Sequence, residues 1–143
     1  MKLRTFFLIV PSFLAMIGLS ACSTPSGKIP GVSFLSTAKP PASTPYIAAL
    51  EGGIVGRTGI KLSDNDQRRA LEAEYRALET APLGMPVVWT SKNISGEVVA
   101  AAPYQVGSQN CRQYRHTVTV DDKPTQARGA ACRNDDGTWS PLN

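Results

Sequence analysis

Cys111 and Cys132 stand symmetrically about the dipeptide Asp121-Asp122, and this symmetry restricts the fold more than any other feature of the chain. The flanking runs, "CRQYRHTVTV" at 111–120 and "KPTQARGAACR" at 123–133, carry the alternating and β-branched residues of strands. If Asp121-Asp122 is a two-residue hairpin loop, Val120 faces Lys123, and counting back along both strands brings Cys111 opposite Cys132. A four-residue loop on the same centre keeps the cysteines opposed, whereas moving the centre by one residue sets Cys111 against Asn134. Counted from a hydrogen-bonded closing pair, the odd positions of the first strand fall in non-hydrogen-bonded pairs, with Cα atoms about 4.5 Å apart. That spacing is compatible with a disulfide. Pro124, which has no N–H, then lies opposite Thr119 in a pair that asks no donor of it. Closing a loop of this length is worth about 3 kcal/mol. A metal site is the competing use of the cysteines, but His116 is the single histidine and no CxxC occurs.

Three further stretches read as strands: "PVVWTS" at 86–91, "GEVVAAAPYQV" at 96–106 and "TWSPL" after the Asp-Asp-Gly turn at 135–137. Ahead of them lies one clear helix. Ser63 caps it with Asp66 three residues on, and Leu71, Tyr75 and Leu78 mark one face with Ala70, Ala77 and Ala81 beside them. Its charges, including Arg68-Glu72 and Glu72-Arg76 at i,i+4, read as a solvated face, and Pro82 and Gly84 stop it. The resulting expectation is an α+β fold: one helix packed on a small antiparallel β-sheet with a disulfide-linked hairpin, preceded by a lipidated signal and a disordered tether. So small a core is one that exported domains often staple with a disulfide.

The N-terminus sets the location. Lys2 and Arg4 precede a mostly apolar run from Phe6 to Leu19, the layout of a secretory signal. Fourteen residues at about 1.5 Å each fall short of a bilayer core about 30 Å thick. Leu19-Ser20-Ala21-Cys22 resembles the lipobox of bacterial lipoproteins, which implies acylation of the Cys22 thiol and cleavage just before it. Ser23, where such proteins often carry an Asp for inner-membrane retention, points to the outer membrane. Cleavage would leave 122 residues and lower the formal charge from +4 to +2, with no basic run to attract nucleic acid. Residues 1–21 are thus expected to be a signal peptide and 22–46 a lipid-anchored tether rich in Pro, Ser and Thr. Residues 47–62, "IAALEGGIVGRTGIKL", read as a flexible or weakly helical connector, with a glycine-zipper remnant as the alternative, and 63–143 as the folded domain.

The C-terminal half resembles the surface antigen domain of the bacterial 17 kDa surface antigen family of outer membrane lipoproteins. Cys111, Arg112, Tyr114, Thr117, Val118, Ala131, Cys132, Arg133, Asp136, Gly137 and Trp139 carry the likeness, and "LSDNDQRRA" is similar to the helix after the family's glycine zipper. The likeness covers about Gly52 to Trp139; the zipper departs, being short and charged here. Membership would imply an envelope location and no established catalysis.

Chemistry has little to start from. His116 sits mid-strand without a GxSxG-type nucleophile, so it reads as a strand-face histidine. Asp121-Asp122 and Asp135-Asp136 lie in turns, where Asp is favoured for backbone hydrogen bonding. No catalytic residue, cofactor or metal is expected, and His116→Ala, Asp122→Ala and Asp136→Ala should cost only what surface sites cost. Arg112, Arg115, Arg128 and Arg133 form a possible binding surface for an envelope protein or an anionic glycan or lipid head group. The leading functional reading is a non-catalytic outer membrane lipoprotein with a structural or interaction role. The alternative is a lipoprotein that inhibits or binds a host or periplasmic hydrolase.

Overall fold

A computed structural model describes residues 43–142; the signal, Cys22 and most of the expected tether lie outside the described residues. The chain runs through α1 (Thr44–Ala48), a 3₁₀ helix (Ile54–Thr58), α2 (Asp64–Glu79), β1 (Pro86–Thr90), β2 (Ile94–Val106), β3 (Gln109–Val120), β4 (Lys123–Arg133) and β5 (Trp139–Leu142). The strands form one antiparallel sheet in the order β1-β2-β3-β4-β5. Every connection is between sequence neighbours, as short turns between antiparallel strands require.

The β3–β4 hairpin has the expected register. Val120 pairs with Lys123 and Cys111 with Cys132, and the two cysteines are disulfide-bonded with Cα atoms 3.9 Å apart. Asp121 and Asp122 both adopt positive φ (47° and 60°), the type I′ geometry that matches the twist of two-residue hairpins. The close Cα approach marks the cysteines as a non-hydrogen-bonded pair, so the odd positions of β3 share that class.

Side chains alternate across β3. Arg112, Tyr114, His116 and Val118 face the helical layer and are buried, while Gln113 and Arg115 are exposed on the other side. α2 packs over β1, β2 and β3, and the 3₁₀ helix over β3 and β4. The sheet thus has one covered face and one outer face. In β2 the pairing slips between Ala100 and Pro103, leaving a bulge at Ala101 and Ala102.

Helix α2 begins as its sequence dictates. The Ser63 hydroxyl accepts from the Asp66 N–H at 3.2 Å, and Asp64 and Asp66 occupy the first turn. Its buried face differs from the expected one: it consists of Ala70, Leu71, Ala73, Glu74, Ala77 and Leu78, with Tyr75 at the margin stacked on Tyr46. Glu74 therefore does not belong to a solvated face. The expected i,i+4 pairs are replaced too, since Glu72 accepts from the Ser43 hydroxyl and Arg68 donates to Asn65.

The connector reading of 47–62 is overturned, and with it the single-helix layer. Leu50, Ile54 and Val55 are fully buried in the core, and Ile47, Ile60 and Leu62 pack against it. α1 and the 3₁₀ helix join α2, so the folded unit takes in residues assigned to tether and connector. Two glycines permit this approach. A Cβ on Gly53, whose φ is +62°, would collide with the Glu74 carboxylate, and one on Gly129 would stand 2.5 Å from Ile54 Cγ2.

Candidate functional site

The densest polar cluster of the described residues is sealed inside the core. Glu74 Oε1 accepts from the Val55 N–H and from His116 Nδ1, each at 2.8 Å. Glu74 Oε2 accepts from the Ile54 N–H at 3.1 Å and the Tyr114 hydroxyl at 3.2 Å. Trp89 Nε1 donates to His116 Nε2 at 2.8 Å. An indole N–H can only donate, so Nε2 is the acceptor and the ring hydrogen sits on Nδ1, which donates it in the hydrogen bond to Glu74. The carboxylate oxygens are thus filled by four donors from two elements, the 3₁₀ helix and β3. Burial, and secondarily the adjacent Glu74 charge, pushes the Tyr114 hydroxyl far above its ordinary range, so it stays a donor.

This corrects the surface reading of His116. Glu74 and His116 are both 0% exposed. A carboxylate beside an imidazole resembles two members of a catalytic triad, but substrate has no route to this pair, and the nitrogen that would serve as base is occupied by Trp89. The cluster ties the 3₁₀ helix, α2, β1 and β3 together. Glu74 was legible in one respect only: it follows Leu71 by three residues and precedes Leu78 by four, on the apolar stripe itself.

The four arginines divide. Arg112 is buried and donates to the carbonyls of Ala77 and Leu78 at 3.1 and 2.8 Å, and through Nε to Ala101 at 2.9 Å. It caps the C-terminal end of α2, where backbone carbonyls lack intrahelical partners. Desolvation pushes its pKa down from the ordinary value. Arg133 makes a bidentate pair with Glu79, both bonds 2.9 Å, and Trp139 Nε1 donates to the same carboxylate at 2.8 Å. The Arg133 hydrogen bonds hold the Glu79 carboxyl below the usual carboxylate range, against burial, with the Trp139 bond helping. Arg112 and Arg133 are therefore removed from the binding surface, because each is spent on joining the sheet to α2.

Arg115 and Arg128 remain on the outer face, directly opposed across β3 and β4. They line a groove of about 500 Å³ together with Leu83, Val99, Ala101 and Ala130. The turn aspartates behave as turn residues: Asp136 accepts from the Thr138 N–H and hydroxyl, which lowers its pKa. Among the described residues no group of three or more His, Cys, Asp or Glu is placed to hold a metal, and no helix is long and apolar enough to cross a membrane.

Comparison with known proteins adds to this geometry. Residues 76–140 match the family described as 17 kDa outer membrane surface antigen. The 17 kDa surface antigen of Rickettsia bellii is 37% identical over 88 residues, which cover 59% of this chain and 55% of that protein. That of Rickettsia conorii is 38% identical over 85 residues, 57% of this chain and 54% of the relative. The chain thus spans about half the length of the curated relatives it matches. No solved structure matches it.

Proposed function

We propose that this chain, whose residues 76–140 match the family described as 17 kDa outer membrane surface antigen, is a non-catalytic lipoprotein of the outer membrane, held there by acylated Cys22 and acting through the outer face of its sheet. The observation that carries this reading is where the polar chemistry sits. The one acid–imidazole pair is enclosed and structural, while the sheet face opposite the helices is open to solvent and lined with exposed side chains. The Leu19-Ser20-Ala21-Cys22 sequence supports the anchor, since only a nucleophilic sulfur accepts the thioether lipid, and a multiply acylated N-terminus holds a protein stably at a bilayer. Residues 23–42 would then tether the folded unit to that anchor.

Labelling cells with radioactive palmitate and fractionating the envelope tests this. The parent should carry label and sediment with outer membrane, whereas Cys22→Ser should lose the label and accumulate as precursor or leave the outer membrane fraction. A Cys22→Ser protein that is processed and fractionates like the parent would show the anchor to be wrong. Purified protein that hydrolyses peptidoglycan, ester or peptide would show the non-catalytic reading to be wrong.

A further inference from the structure

Arg115 and Arg128 are the two sheet arginines that the fold itself does not use. Among the described residues neither belongs to an ion pair, and their one side-chain hydrogen bond runs from Arg128 Nε to Gln126 Oε1 at 3.0 Å. They oppose each other in the same pairing class as the disulfide, so their Cα atoms lie about 4.5 Å apart and both guanidinium groups leave the outer face side by side. Like charges placed directly opposite destabilise a sheet. The single carboxylate in the five strands, Glu97, stands opposite Thr117 and forms no ion pair with either arginine. The fold thus keeps two adjacent, unneutralised cations at one spot.

Their surroundings narrow what neutralises them. The groove they line has an apolar floor formed with Val99, Ala101, Ala130 and Leu83, the last 66% exposed, and Gln113 also lines it. Paired guanidinium forks match phosphate oxygens, and apolar surface beside them suits hydrocarbon next to that phosphate. A bare carboxylate-rich peptide would match the charge and leave the apolar floor without a partner.

We propose that this groove receives the phosphate head group of an anionic phospholipid, laying the outer face of the sheet against the membrane surface. The inference rests on the lipid-anchored reading above, since a tethered domain meets the bilayer at high effective concentration and needs only modest intrinsic affinity. The disulfide contributes by fixing the register that sets Arg115 against Arg128.

The test uses residues 22–143 with Cys22→Ser, made without the leader, so that binding is independent of acylation. Co-sedimentation with vesicles of equal parts phosphatidylglycerol and phosphatidylcholine should exceed that with phosphatidylcholine alone. Arg115→Gln and Arg128→Gln should each weaken binding about fivefold and the double variant about 25-fold. Arg68→Gln, which removes a charge from the solvent side of α2, should leave binding unchanged. Thermal melts confirm that the variants remain folded, as exposed sites allow. Equal binding to both vesicle types, an equal loss from Arg68→Gln, or full displacement by inorganic phosphate or polyglutamate would each overturn the proposal. None of these results alters the palmitate and fractionation outcome, so the groove and the anchor fail separately.

Discussion

Replacing Glu74 in two ways separates a polar role from a packing role. Glu74→Leu keeps roughly the volume and supplies no acceptor, leaving the N–H groups of Ile54 and Val55, the Tyr114 hydroxyl and His116 Nδ1 without a partner. Each buried donor left unmade costs about 1–3 kcal/mol, so four cost about 4–12 kcal/mol. That approaches the whole stability of a small domain, about 5–15 kcal/mol, and the Leu variant should be largely unfolded. Glu74→Gln is far milder. With the amide oxygen at the Oε1 position, Val55 and His116 keep their acceptor; the amide nitrogen at Oε2 donates to a rotated Tyr114 hydroxyl, and only the Ile54 N–H is orphaned. The reverse orientation sets the amide N–H₂ against two donors, and His116 cannot change tautomer because Trp89 needs Nε2. One orphaned N–H costs about 1–3 kcal/mol, partly offset because no charge is buried any longer. Urea unfolding followed by tryptophan fluorescence measures both variants, Trp89 reporting directly on the cluster. A buried charge kept for no structural purpose would give the opposite order, since apolar replacement of buried ions is often neutral or stabilising. A Leu variant as stable as the Gln variant would refute the cluster's role.

Three further outcomes follow from the same contacts. Arg112→Met should destabilise by about 2–4 kcal/mol, since two carbonyls of the last turn of α2 lose charge-assisted donors; hydrogen exchange at the end of α2 should rise with it. Reduction of Cys111–Cys132 should lower stability by about 3 kcal/mol in the chain-entropy account, measurable as a shifted denaturation midpoint with and without reductant. Acid should weaken the α2–β5 junction. The Glu79 pKa is depressed in the fold, so its contribution is complete above the unfolded value of about 4.3 and is lost as pH falls through the folded value. Glu79→Gln should flatten that acid limb of the stability–pH curve.

The hairpin was legible because everything that specifies it is local or symmetric in sequence. Two alternating runs, an Asp-Asp turn able to take positive φ and a mirrored cysteine pair fix one register, and the strand positions and the capped start of α2 follow from equally short-range chemistry. What stayed hidden were the polar residues whose partners come from far along the chain. Glu74 is held by groups 19 to 42 residues away, and Arg112 reaches carbonyls 34 and 35 residues away. A charged side chain is buried only when converging elements supply its hydrogen bonds, so its fate is set by which helix face meets which strand. The sequence by itself determined the strands, their register and the disulfide. Only the tertiary structure decided that the glycine-containing stretch at 47–62 enters the core, that His116 and Arg112 become internal fasteners, and that Arg115 and Arg128 are left facing solvent, because each outcome depends on donors and acceptors meeting across the gap between sheet and helices.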